Sequence, residues 1–177
     1  MTGYIVIVVI LVLVDMVLGI AAGKPNTFTI KRATEIKAAP EAVWAYLEDF
    51  RRWTVWSPWE DIDPNMKRTY SDPATGVGAT YAWEGDKKAG AGNMQITEAK
   101  APAKLALTLN MLKPFPATNA VEFFVTPLEG GLVRVAWVMT GTSAFMHKLM
   151  SVVISMDKLV GKDFEKGLAK LKAAAEA

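Results

Sequence analysis

Nineteen consecutive residues, Tyr4 to Ala22 (YIVIVVILVLVDMVLGIAA), carry a single charge, Asp15. As a helix this run is roughly 28 Å long, close to the hydrocarbon thickness of a bilayer. Thirteen of its positions are Ile, Val or Leu. Together they favour insertion by about 4 to 8 kcal/mol, against a cost of about 3 kcal/mol for Asp15. A stretch so uniformly apolar has no polar face to show water, which argues against a core helix. The rival reading is a cleaved signal peptide, for which Gly19-Ile20-Ala21 would serve as the cleavage site. Against it, residues 1–4 (MTGY) carry no Lys or Arg, and a signal peptide has a basic n-region. The sequence therefore predicts a transmembrane anchor over residues 1–23, a short polar linker over 24–26 and one domain over 27–177.

One face of the anchor differs from the rest. Asp15, Gly19, Ala22 and Gly23 fall at i, i+4, i+7 and i+8, and Gly19 to Gly23 spells G-x-x-x-G. Small residues let membrane helices approach closely, and an intramembrane carboxylate usually faces a partner or a cavity. This face is the expected contact for another membrane protein, although Gly and Ala at the span's edge also suit a simple helix end. Orientation rests on Lys24, Lys31 and Arg32, which follow the span, whereas only the α-amine is positive before it. Positive residues near a span stay in the cytoplasm, so the expectation is a single-pass protein with its N-terminus out and its domain cytoplasmic. A periplasmic-facing domain is the alternative.

The remaining composition excludes much familiar chemistry. The chain has 177 residues, room for one domain and the anchor. It contains no Cys and one His, His147, which removes thiolate chemistry, cysteine zinc sites and multi-histidine metal centres. A net charge of +2 gives no electrostatic case for nucleic acid. No metal or cofactor is expected.

From residue 27 onward, periodicity predicts strands and helices in a clear order. Thr27 to Ile36 alternates, with Phe28, Ile30, Thr34 and Ile36 on one face. Pro40 suits the first turn of a helix reaching about Phe50, and a second short helical turn covers Arg51 to Trp56. Ser57 to Asn65 reads as a loop. Strands follow at Met66–Tyr70, Ala79–Glu84, Gly92–Ala99, Lys104–Met111, Asn119–Pro127 and Leu132–Thr140, separated by Gly, Pro and Asp turn signals. Ser143 to Ala175 then repeats apolar residues at helical spacing, with Lys158, Lys162, Lys166 and Lys170 on the opposite, solvated side. A curved antiparallel sheet of about seven strands gripping a long C-terminal helix is the natural α+β packing for this order.

Four segments carry a family resemblance. They are Ile36-Lys37-Ala38-Ala39-Pro40-Glu41-Ala42-Val43-Trp44, Trp53-Thr54-Val55-Trp56-Ser57-Pro58-Trp59-Glu60, Gly76 to Gly85 (GVGATYAWEG) and Gly161 to Leu168 (GKDFEKGL). Over residues 27 to 174 the chain resembles the START-like, helix-grip SRPBCC superfamily, in its polyketide cyclase/dehydrase branch of small bacterial proteins. The resemblance implies an apolar cavity between sheet and C-terminal helix. It carries over no catalytic residue, and the superfamily hosts carriers, binders, cyclases and co-chaperones alike.

The candidate cavity residues are Trp56, Trp59, Tyr81, Trp83, Met94, Leu107, Leu109, Phe123, Trp137, Met139, Met156, Val160 and Phe164, joined near the opening by Phe145, Met146 and Met150. Met suits surfaces that accept varied apolar ligands. For any one of these residues filling a core is the simpler reading, and it is the resemblance that tilts the set toward a cavity. The Trp53, Trp56 and Trp59 cluster reads as a packing plug beside the first helices. Alternation turns Glu84 away from Tyr81 and Trp83, toward solvent. Glu60, Asp61 and Asp63 match no calcium loop and read as a solvated acidic turn. His147 has no placed partner for acid–base work. Three functions compete on these grounds: a membrane-anchored binder of a lipid or other hydrophobic small molecule, an accessory subunit of a membrane complex, and a cyclase/dehydrase-type enzyme.

Overall fold

Alternating strands need partners, and here each finds one next to its neighbour in sequence or through a single long return. The computed structural model of the chain describes residues 2–143, 148, 149, 152 and 156–177. Its elements are α1 (Thr2–Ala22), β1 (Thr27–Ile36), α2 (Pro40–Leu47), the one-turn α3 (Trp53–Trp56), β2 (Lys67–Tyr70), β3 (Thr80–Glu84), β4 (Ala91–Lys100), β5 (Lys104–Lys113), β6 (Ala117–Pro127), β7 (Val133–Thr142) and α4 (Met156–Ala175). Short 3-10 turns at Phe50–Arg52 and Pro58–Asp61 flank α3, so the segment expected to be loop after Ser57 is partly helical. Phe145, Met146, His147 and Met150 lie outside the described residues, as does the side chain of Met156.

The seven strands form one antiparallel sheet in the order β1-β7-β6-β5-β4-β3-β2, which is the expected meander with β1 returned to its far edge. Register shifts in the β4–β5 pair, between Ala91 and Gly92 and between Ile96 and Glu98, bend the sheet. Its concave face carries the alternating apolar residues, and α4 lies across them with Phe164, Leu168 and Leu171 fully buried. Pro40 opens α2 at its first turn, and Val43, Trp44 and Leu47 pack its inner side into the same core.

Polar clamps hold α4 in place. Arg32 sits at an inward position of β1, where an arginine would be costly without partners. Its Nε donates to Glu165 (2.7 Å), and its Nη atoms donate to the Asp157 carboxylate (2.9 and 3.0 Å). Gly161 passes so closely over this guanidinium that a Cβ would collide with it. At the other end, Lys172 Nζ donates to the Glu35 carbonyl (2.7 Å) and the Lys37 amide to Glu176 (2.7 Å).

The acidic stretch between α3 and β2 is divided among three tasks. Asp61 pairs with Lys170 (3.0 Å) and Lys166 (3.3 Å) of α4, and these ion pairs hold its carboxyl below the ordinary aspartate range. Asp63 accepts from the amides of Asn65 and Asp86. Glu60 is buried, unlike the solvated residue expected. Two of the lysines on the solvated side of α4 thus anchor a loop as well.

The helix α1 is long and apolar enough to cross a membrane. Its large side chains from Tyr4 to Ile20 are exposed except for the half-buried Val17, and among its described side chains only Ala21 at its end is buried. Asp15, Ala22 and Gly23 are exposed too, and a Cβ placed on Gly19 would meet open space.

Candidate functional site

The register divides the concave face into rows, and the rows differ in what covers them. Trp137 pairs across the sheet with Phe123, and Phe123 with Leu105. Over this row the helices supply rings. Phe164 of α4 stacks on Trp137 at 4.1 Å between centroids, nearly parallel at 9°. Trp56, Trp59 and Phe123 close around the same indole at 5.4, 5.5 and 5.0 Å. Trp53 and Trp56 are held by their indole N–H groups, which donate to the carbonyls of Leu47 (2.9 Å) and Tyr46 (3.0 Å). Trp137 is 2% exposed, and its Nε1 has no hydrogen-bond partner among the described residues. Val160 packs half-buried against this cluster. The structure therefore brings Trp56, Trp59, Phe123, Trp137 and Phe164 together, in direct contact with one another.

Tyr81 marks one edge of the rings. It stacks on Tyr70 (5.0 Å, 13°), and its hydroxyl donates to Glu60 Oε1 at 2.6 Å. Arg68 Nε donates to the other carboxylate oxygen at 2.6 Å. Burial, reinforced by the Glu60 carboxylate, pushes the Tyr81 hydroxyl well above the ordinary tyrosine range. Glu60 in turn raises the Arg68 guanidinium. With both oxygens of Glu60 taken, this cluster fastens the loop to β2 and β3. Trp83 is half-buried over Gly92, with its indole N–H donating to the Ala89 carbonyl (3.2 Å). Glu84 faces solvent, as alternation requires.

Over the next two rows the packing changes. Met139 pairs with Ile30 and Val121, and the row continues through Leu107 to Ile96. The next row runs Phe28, Gly141, Asn119, Leu109, Met94, Tyr81. Its middle holds a glycine and an amide where other rows hold large apolar groups. A Cβ on Gly141 would strike the Asn119 side chain and the Phe28 ring, so the glycine makes room for both. Here the grip opens into an apolar pocket of about 310 Å³. Phe28, Met111, Ala117 and Met139 form its apolar wall, and Asn119, Thr142 and Lys148 contribute polar groups. Lys24, Pro25 and Phe115 stand at its rim. Lys148 Nζ donates to the side chain of Asn26, next to Pro25.

Of the candidate positions named from sequence, Met139 lines this pocket. Met94, Leu107 and Leu109 belong to the same concave face, farther along the sheet. Phe28, Met111 and Asn119 were not singled out as site residues. Asn119 carried a legible signal, because it is a polar residue at an inward position of an otherwise apolar alternation. Among the described residues, no cluster of His, Asp or Glu could hold a metal ion.

The sequence pattern of the family described as polyketide cyclase / dehydrase and lipid transport matches residues 27–176. The chain belongs to this family. No curated protein matches it. As a polyketide cyclase/dehydrase family member it shares its fold with many solved structures at low identity. Protein CV1439 from Chromobacterium violaceum is 16% identical, with 87% of this chain and 99% of that one covered and a TM-score of 0.59. The solution structure of the Aha1 dimer from Colwellia psychrerythraea is 16% identical, covering 84% and 96%, with a TM-score of 0.60. Mll3558 from Rhizobium loti is 14% identical, covering 84% and 96%, with a TM-score of 0.63. These likenesses establish the helix-grip fold of the polyketide cyclase/dehydrase domain.

Proposed function

We propose that this protein is a membrane-anchored helix-grip domain that binds a lipid or other hydrophobic small molecule at the mouth of its grip. The observation that carries the reading is the position of the 310 Å³ apolar pocket, whose rim includes Lys24 and Pro25, immediately beyond a helix able to cross a membrane. Its size lies at the low end for small-molecule sites, and an apolar wall with few polar groups is their usual composition. An apolar tail against Phe28, Met111 and Met139, with a polar or anionic head near Asn119, Lys24 and Lys148, matches that lining. Native mass spectrometry of the protein extracted from membranes tests this directly. The expected spectrum contains a bound apolar molecule. A folded protein that carries none, and takes up none from a broad panel of lipophilic probes, would defeat the reading.

In this reading α1 is retained and the domain faces the cytoplasm, because Lys24, Lys31 and Arg32 follow the span. Protease added to intact spheroplasts would digest the domain only if the orientation were reversed.

A second reading, an accessory subunit of a membrane complex, draws on the exposed Asp15 and the open space beside Gly19. Asp15→Leu should leave the protein in the membrane and lower recovery of a membrane partner, and Gly19→Leu should do the same. Unchanged recovery in both would dismiss it.

A further inference from the structure

The β5–β6 hairpin ends in Leu112-Lys113-Pro114-Phe115-Pro116. At its tip Leu112 is 54% exposed and Phe115 67% exposed, Phe115 on the pocket side and Leu112 on the other face of the sheet beside Ala82 and Asn93. Exposed apolar residues are common singly and need no explanation. This pair differs in where it stands. Phe115 shares one pocket rim with Lys24 and Pro25, and α1 ends at Ala22. The three residues from Ala22 to Pro25 can span at most about 10 Å. The tip is therefore beside the point where the chain would leave the bilayer.

The surroundings of the tip have a matching charge. Gly90 packs directly on the Lys113 carbonyl, which brings the β3–β4 turn with Lys87 and Lys88 alongside the tip. Glu84, Asp86 and Asp63 are the acidic residues there, Asp63 accepting from the Asp86 amide. Glu84 lies 3.9 Å from Lys113, and the Asp86 carboxylate turns inward onto the amides of Lys88 and Ala89 while keeping its charge. Apolar side chains flanked by lysines, here Lys24, Lys87, Lys88 and Lys113, are the composition of a segment that lies in the headgroup boundary of a membrane containing anionic lipid.

We infer that the β5–β6 tip dips, through Leu112 and Phe115, into the same bilayer that α1 spans, so that the pocket mouth opens at the membrane surface. This rests on the proposed membrane anchoring of α1 and deepens it, because the ligand would then pass between bilayer and pocket without crossing water. A protein partner on the tip is the competing occupant. The bilayer is favoured because the short link from Ala22 to Pro25 keeps the domain, and with it the neighbouring tip, close to the end of α1.

The natural chain has no cysteine, so single labels can be placed cleanly. The full chain is reconstituted in vesicles of phosphatidylcholine with phosphatidylglycerol. An environment-sensitive dye is attached at Leu112→Cys or, as a control, at Val77→Cys. Val77 is 66% exposed in the β2–β3 turn, at the opposite end of the sheet. Lipids spin-labelled on the acyl chain should quench the dye at 112 roughly twofold or more above the dye at 77. Adding Phe115→Asp to the Leu112→Cys chain should bring quenching down to the control level. Equal quenching at 112 and 77 would overturn the inference, as would quenching at 112 that survives Phe115→Asp, since the dye alone would then be seeking lipid. The dye reads depth, so this result is independent of whether the pocket binds anything.

Discussion

The two ends of one concave sheet are built from the same alternating apolar pattern and end up different. Around Trp137 the rows lie under α4 and α3, and the rings of Trp56, Trp59, Phe123 and Phe164 fill the space. Around Asn119 and Gly141 the described elements supply no such rings, and a pocket remains. The contrast shows that a helix grip need not be hollow along its whole length. Its aromatic end is close-packed, and its open end leaves a cavity that the described side chains do not fill. A step of two rows, from Trp137 to Asn119, is enough to change the packing.

The largest effect should come from breaking the filled end. Phe164→Ala removes a fully buried ring stacked on Trp137 and should cost about 3–5 kcal/mol in denaturant unfolding. A loss below about 1 kcal/mol would mean that the interior is not close-packed, and the comparison would fall.

At the boundary between the two ends, Glu60→Gln keeps the shape but removes the charge that Arg68 and Tyr81 share. Hydrogen bonds to charged groups are worth about 1.5–3 kcal/mol, and the loss of stability should lie in that range. Tyr81 should also titrate at lower pH in this variant, because the Glu60 carboxylate contributes to its upward shift. A spectrophotometric titration checks the direction.

The open end should respond the other way round. Ala117→Phe places a ring in the pocket wall and should change stability by under about 1.5 kcal/mol. Binding of a lipophilic fluorescent probe should weaken about tenfold, which corresponds to about 1.4 kcal/mol. Equal probe binding in Ala117→Phe and the natural protein, with binding lost in Phe164→Ala while it remains folded, would move the site to the filled end.

The smallest effect concerns Asp61, half exposed between loop and helix. Lys170, then Lys166, lower its pKa from 3.8, so its contribution is present above that value and disappears as pH falls through the lower, folded one. Asp61→Asn should cost under about 1 kcal/mol at neutral pH, as exposed pairs do. The variant and the natural protein should converge in melting temperature once the pH drops well below 3.8.

Much of the fold was legible before any tertiary contact was known, because periodicity is a local property. Two-residue alternation marked the strands and their buried faces, Pro40 marked the start of α2, and a 3.6-residue repeat marked α4. The apolar length of Tyr4 to Ala22 needed only composition. What alternation could not distinguish was a filled row from an open one. Phe123 and Asn119 lie on the same face of β6, four residues apart, and only the Trp53 and Trp56 rings delivered by α3 make one a core residue and leave the other in a pocket wall. Adjacent charges posed the same problem. Glu60, Asp61 and Asp63 look alike in sequence, yet one is buried on Arg68 and Tyr81, one pairs with α4 and one caps a turn. Each of those outcomes depends on groups distant along the chain, and the energy of a charge or a cavity is set by the neighbours that long-range packing brings to it.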